Sequence, residues 1–555
     1  MFYSPIHFYC CGSVMVRKSK QIAWGSVSLE ALGKPLVPEG RVVRGVVLSL
    51  MFGLLLGGCT LPTLQGRSMT RALPLEQARD TTLGELVRDR LDRHPERSGI
   101  YPLGDAHEAF AARVLLAEAA EQTLDLQYYI WHNDTSGSLL FDAVRRAADR
   151  GVRVRLLLDD NNTVGLDETL AALDAHPGIE VRLFNPFVVR SPRAIGYVTD
   201  FSRANRRMHN KTFTIDNQIT IIGGRNVGDE YFGATRGVLF SDLDVMAIGP
   251  VVQDVSDDFD RYWNSRSSYP ASRLIDSVGR EGLARVVANA EQARRLPRSQ
   301  SYLAALEASD LVNGLVRGDL AFEWATAWMV SDDPSKGLGE AQEQELLTSR
   351  LGDLLGAPGR QLDLVSPYFV PMKEGTEWLA GLAEQGGQVR VLTNSLEATD
   401  VAAVHAGYSK RRRDLLDAGV ELFELKRSGA MDMITHSSPF GRFGSSGSSL
   451  HAKTFAVDEK WVFIGSFNFD PRSARLNTET GFLIESPALA TAMDDAFDNR
   501  VSEQSYRVKL ADDGHLIWHE QTGERDIIHR TEPNIGLLRR IGVKVMSWLP
   551  IEWLL

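Results

Sequence analysis

The strongest constraint on this 555-residue chain is that it repeats itself. His209-Asn210-Lys211-Thr212-Phe213-Thr214-Ile215-Asp216 returns as His451-Ala452-Lys453-Thr454-Phe455-Ala456-Val457-Asp458. The first copy runs on to Gly223-Gly224-Arg225-Asn226 and the second to Gly465-Ser466-Phe467-Asn468. The shared pattern is His-x-Lys-x4-Asp-x6-Gly-[Gly/Ser]-x-Asn. Side chains alternate along a strand, so His209 and Lys211 share one face, as do His451 and Lys453. β-Branched and aromatic residues follow each lysine and favour strand. Asp216-Asn217-Gln218 and Asp458-Glu459-Lys460 read as tight turns before a second apolar run. Each copy is therefore expected as strand, turn and returning strand, with terminal glycines that let backbone approach a ligand. Asp216 and Asp458 belong to the motif's catalytic set by position. Because Asp at a turn bonds its own backbone, a structural role is favoured for both over direct contact with substrate.

The duplication extends beyond the motif. Leu124-Asp125-Leu126 matches Leu362-Asp363-Leu364, the segment from Gly151 matches that from Gly387, and Glu180 matches Glu421, all at a nearly constant shift. Two homologous halves follow. Each alternates apolar strands with amphipathic helices, which predicts an α/β fold with a mostly parallel or mixed sheet. The expected division is a first lobe over 100–270, a polar helical connector over 271–300, a second lobe over 301–510 and an amphipathic tail over 511–555. The Gly/Ser-rich stretch before His451 (440–449) reads equally as a gate over the site or a plain loop.

Paired imidazoles, ammonium groups and amides in one frame suit a phosphate diester. The net charge of −11 argues against gripping a nucleic-acid backbone, which normally needs a basic face. The three cysteines, Cys10, Cys11 and Cys59, lie outside the predicted globular part, so no disulfide or cysteine–metal framework is expected. The 12 histidines form no His-Glu-x-x-His signature, and neither metal nor cofactor is expected.

Arg41 and Arg44 precede an uncharged, Leu- and Val-rich stretch that ends Leu56-Gly57-Gly58-Cys59. A positive region, a short apolar core and small residues before a cysteine resemble a bacterial lipoprotein signal over 41–58, with lipid on Cys59. Residues 1–40 then read as an overcalled start and 59–99 as a tether. The expected location is the cell envelope, facing the periplasm, with the outer membrane as one destination.

These motifs resemble the phospholipase D superfamily over residues from about 100 to 510. Arg207-Met208-His209, the run Gly223–Phe232 and Leu549-Pro550-Ile551-Glu552 are similar to its bacterial cardiolipin synthase branch, nearest to the third type. The resemblance implies two lobes packed as a pseudo-dimer around one site. One histidine attacks phosphorus and forms a phosphohistidine, and the other serves as acid and base. His209 is assigned as nucleophile and His451 as acid/base. Lys211, Lys453, Asn226 and Asn468 are expected around the non-bridging oxygens. Glu479 matches the family's acidic position, and Asp242 stands opposite it in the first half, with Asp244 as rival. His405 and Tyr408 resemble a stretch near the acceptor site and are expected as substrate contacts. Tyr128, Tyr129 and Trp131 are expected in the core. Phospholipids are the expected partners, with no nucleic acid, and a small protein partner stays open. Transfer of a phosphatidyl group is favoured. Hydrolysis and, less so, nuclease action remain alternatives. The basic, apolar C-terminal run from Ile535, with Trp548 and Trp553, suits either a bilayer interface or packing on the core.

Overall fold

One strand from each half pairs with the other and joins the two. The computed structural model describes residues 60–555 except 234–238, 280, 298, 301, 303–313, 315–316, 318–319, 428–447 and 524. The signal over 41–58, the three cysteines and most of the Gly/Ser-rich stretch lie outside the described residues. Residues Leu61–Leu555 form one unit.

In the first half, β1 (Ser98–Leu103), β2 (Thr123–Tyr128), β3 (Arg153–Asp159), β4 (Ile179–Phe184), β5 (Thr212–Ile215), β6 (Ile219–Gly223), β7 (Leu239–Ser241), β8 (Asp244–Ile248) and β9 (Ser268–Pro270) follow one another. The second half has β10 (Glu323–Ser331), β11 (Gln361–Val365), β12 (Gln388–Asn394), β13 (Glu421–Leu425), β14 (Ser448–Leu450), β15 (Thr454–Val457), β16 (Trp461–Gly465) and β17 (Thr480–Glu485). It continues with β18 (Ser505–Leu510), β19 (Leu516–Thr522) and β20 (Arg525–His529).

Within the large sheets the three-strand groups β2-β3-β4 and β11-β12-β13 are parallel, and the short strands β7 and β14 form a separate parallel pair. The motif hairpins and the outer strands pair antiparallel, so each sheet is mixed. Edge strands β1 and β10 pair with each other and make the two sheets continuous. One apolar core crosses the boundary, with Ile222, Val245 and Val251 of the first half packed among Leu392, Ile464 and Phe482 of the second.

The duplication is repeated in buried charge. Arg155 clasps Asp125 at 2.6 and 2.7 Å, and Arg390 clasps Asp363 at 2.6 and 2.8 Å. Each pair ties neighbouring parallel strands together. The motif hairpins turn on Asp216-Asn217 and Asp458-Glu459, all four with positive φ, the type I′ geometry that suits strand twist. The Asp216 carboxylate accepts the N–H groups of Glu121, Gln122 and Thr123, and Asp458 those of Gly359, Arg360 and Gln361. Both aspartates therefore have a structural role, but they clamp the start of the adjacent strand and not the backbone of their own turns, and they are not among the groups that meet the motif histidines.

Two expected boundaries shift. The helix Glu281–Arg294 does not stand free as a connector, since Val286, Ala290 and Ala293 are buried, Val286 within the first-half core. The segment 511–529 is no amphipathic tail. It forms the hairpin β19–β20 on the edge of the second sheet, with Trp518 buried.

Candidate active site

The residue before each motif histidine pairs with a strand of the other lobe. Met208 bridges Thr478, and Leu450 pairs with Ser241 through the parallel pair β14–β7. His209 N–H donates to the Thr478 carbonyl at 2.9 Å, and His451 N–H to the Ser241 carbonyl at 2.8 Å. The next residues along those strands are Glu479 and Asp242. The carboxylates are therefore exchanged between lobes: His209 Nδ1 meets Glu479 Oε2 at 2.8 Å, and His451 Nδ1 meets Asp242 Oδ2 at 2.5 Å. Of the rivals, Asp242 holds the imidazole. Asp244 is taken by Arg113 at 2.8 Å.

The exchange brings both rings to the lobe boundary, each with only 6–7% of its surface exposed. Lys211 and Lys453 each donate to the carbonyl of their own motif histidine. Lys453 Nζ also stands 3.1 Å from His451 Nδ1. Tyr129 stacks edge-on to His209, and Tyr231 and Phe240 cover His451. Tyr128 and Trp131 are core residues as expected, but Tyr129 is not. It is the first residue past β2, where the chain leaves the sheet at the site.

The duplicated motif differs at one telling place. A Cβ on Gly224 would collide with the Asp242 carboxylate, so the first copy needs glycine there. The second copy carries Ser466, whose hydroxyl donates to Glu479 Oε2 at 2.5 Å.

The electrostatics of the two halves differ as well. Burial, then Lys211, Lys453 and His451, push His209 well below the ordinary imidazole range. Burial also raises the Glu479 carboxyl, only partly offset by Lys211, Ser466, Ser473 and Lys336, and leaves it at about 7. Burial and Lys453 lower His451, while Asp242 pushes back. On Asp242 itself burial is outweighed by His451, Lys453 and Arg225, which hold the carboxyl well below its usual range. One imidazole is thus biased toward neutrality, and the other faces a firmly ionised carboxylate. Burial lowers both lysines: Lys211 lies well below its ordinary value and Lys453 at about 8.

Not every expected contact is present. The Asn226 amide is engaged at both ends, accepting from Ile130 N–H at 3.1 Å and donating to the Tyr231 hydroxyl at 3.0 Å. It braces the segment beside His209 and the tyrosine over His451. Asn468 Oδ1 is buried without a partner. His405 and Tyr408, expected as substrate contacts, are buried with polar partners of their own. His405 Nε2 meets Glu532 and Arg412, and the Tyr408 hydroxyl donates to Glu424. Arg412 joins the two glutamates. Their polar atoms serve a core network.

A family model described as "Cardiolipin synthase, PLD-like domain" matches residues 115–263 and 351–501, one match per lobe. The chain belongs to this family. Cardiolipin synthase C of Escherichia coli (strain K12) is 50% identical over 473 residues, covering 85% of this chain and 99% of the relative. A cardiolipin synthase of Listeria monocytogenes is 26% identical over 394 residues, covering 71% of this chain and 67% of its own length. The crystal structure of a phosphatidylserine synthase from Haemophilus influenzae shares the fold, with a TM-score of 0.53 at 13% identity over 85% of this chain and 100% of the other. Membership in the cardiolipin synthase family makes the chain a phosphatidyltransferase-type enzyme with two phospholipase D-like lobes.

Proposed function

We propose that this enzyme moves a phosphatidyl group from one phospholipid to the hydroxyl of another, with phosphatidylglycerol and either phosphatidylethanolamine or a second phosphatidylglycerol as the pair. The observation that carries the reading is the exchanged carboxylates, which bring two unlike imidazoles to one boundary. With Nδ1 tied to Glu479, neutral His209 presents Nε2 to phosphorus. The P–N bond forms as the bond to the departing alcohol breaks, and His451 gives that alcohol its proton. His451 then takes the proton of the incoming hydroxyl, whose oxygen displaces His209. Lys211 and Lys453 face a transferring group that carries negative charge, and that charge restores their protonation and steadies the transition state.

The reading includes a bilayer-facing tail. The helix Leu537–Ser547 packs Val543 and Met546 against the second lobe near Leu396 and Ala406. Leu537, Leu538, Ile541, Val545 and Trp548 stand exposed on its other side, with Arg540 and Lys544 beside them, a pattern suited to an anionic lipid surface. Among the described residues no helix is long and apolar enough to cross a membrane. In this reading lipid on Cys59 supplies a second anchor in the cell envelope. The test is lipid analysis of a host lacking its own cardiolipin synthases. Cardiolipin is expected from the wild type and not from His209→Ala or His451→Ala. Phosphatidic acid in its place would mean hydrolysis, and no lipid change with DNA cleavage in vitro would mean a nuclease.

A further inference from the structure

The two motif copies differ at the residue before the final asparagine: Arg225 in the first, Phe467 in the second. Arg225 pairs with Asp244 at 3.5 Å, and its charge helps hold the Asp242 carboxyl ionised. Its guanidinium donates to the Asp242 carbonyl at 2.7 Å and to those of Leu103 and Gly104. Phe467 can supply no such cation to Glu479. The segment entering the second lobe supplies one instead. Lys336 is buried, and its ammonium donates to Asp332 Oδ2 at 2.9 Å and to the Ser473 carbonyl at 2.8 Å. The same Asp332 oxygen accepts Glu479 N–H at 2.8 Å, and Asp332 N–H donates to the Glu479 carbonyl at 3.0 Å. On its other side the segment reaches the first lobe: Asn185 donates to the Gly337 carbonyl and Arg206 to that of Lys336.

We infer that Lys336 is a positioning residue for the Glu479–His209 pair, supplying from the inter-lobe segment the cation that Arg225 supplies to Asp242. A buried ammonium is costly unless it is paired and bonded, so packing alone gives little reason to keep a lysine here. The charge acts on Glu479 alongside Lys211, Lys453, Asp470 and the Asp332 carboxylate that shares the ammonium, and it offsets part of the burial effect on the Glu479 carboxyl. Without it Glu479 holds its proton to higher pH and ceases to accept from His209 Nδ1–H.

Two variants of the full-length chain separate charge from packing. Lys336→Gln keeps polar contacts without charge, and Lys336→Met removes both. The first readout is the pH profile of kcat/KM for phosphatidyl transfer in mixed micelles. The second is the 13C titration of the Glu479 carboxyl, assigned with Glu479→Gln. The carboxyl titration needs no lipid chemistry, so it decides the inference even if the transferase reading, on which the kinetic arm rests, fails. The expected result is an acid limb and a Glu479 titration both moved up by about one pH unit from about 7, roughly a fivefold loss at neutral pH. Activity should recover at higher pH. If Lys336→Met does not fold, Lys336→Gln carries the test. A Glu479 titration that stays in place, or a loss equal at every pH, overturns the inference and leaves Lys336 a packing residue.

Discussion

Each imidazole in this site has its Nδ1 committed to a carboxylate, and the charge of that carboxylate decides what the ring can do. Asp242 is firmly ionised and offsets part of the burial and Lys453 effects that disfavour an imidazolium on His451, whereas Glu479 titrates near neutrality beside a neutral His209. A pH dependence follows. Glu479 must be ionised to accept from Nδ1–H, and its pKa is raised to about 7, so kcat/KM falls as pH drops through that value. Lys453 must be protonated to meet the phosphate, and its pKa is lowered to about 8, so kcat/KM also falls as pH rises through that value. An acid limb near 7 is expected in the free-enzyme profile, together with an alkaline limb that Lys453 shares with His451, whose acid form burial and Lys453 disfavour. Asp242→Asn removes the charge that favours the imidazolium and is expected to lower kcat by about a hundred- to ten-thousand-fold. Gly224→Ala drives a methyl into the Asp242 carboxylate and should cause a comparable loss with little change in melting temperature. The motif residues were legible because their spacing is local. The pairing of each histidine with the opposite lobe's carboxylate was not, since nothing in a linear spacing says which strands meet across an interface. Tyr129, Tyr231 and Phe240 were missed for a related reason. An aromatic just past a strand end reads as core until its neighbours are known.

At the scale of elements, the duplicated hairpin is a clamp. Asp216 and Asp458 gather three backbone N–H groups each at the start of β2 and β11. Asp216→Ala should therefore cost about 1–3 kcal/mol of stability by leaving those donors unpaired, while kcat is nearly kept. A collapse of kcat without a change in unfolding midpoint would return Asp216 to the chemistry. Arg155→Met and Arg390→Met each strand a buried aspartate and should destabilise by about 3–5 kcal/mol in denaturant titration. Strand, turn and strand were readable from β-branched runs around polar turns, as were the parallel triplets, whose apolar segments alternate with helices. The hairpin β19–β20 was not. Its pattern, with His519, Glu520 and Gln521 between Trp518 and Thr522, is that of a half-exposed edge and resembles a polar tail. His405 and Tyr408 were expected as ligand contacts because their stretch resembles one near the family's acceptor site. The structure answers them with Glu424, Arg412 and Glu532, the last of them far along the chain from the helix that carries the pair.

For the whole molecule, the lobes are halves of one site. The pairing of β1 with β10, the shared core and the exchanged carboxylates make neither half competent alone. The exposed face of the helix Leu537–Ser547 belongs to this scale as well. Leu538→Glu combined with Trp548→Glu is expected to weaken sedimentation with anionic vesicles while activity in detergent micelles is kept, since neither side chain reaches the histidines. In the proposed mechanism two imidazoles act on one phosphorus in different roles. Mass spectrometry of enzyme quenched in base during turnover tests it most directly. A phosphatidyl adduct on the peptide carrying His209 is predicted, and an adduct on the peptide carrying His451 in its place would contradict it.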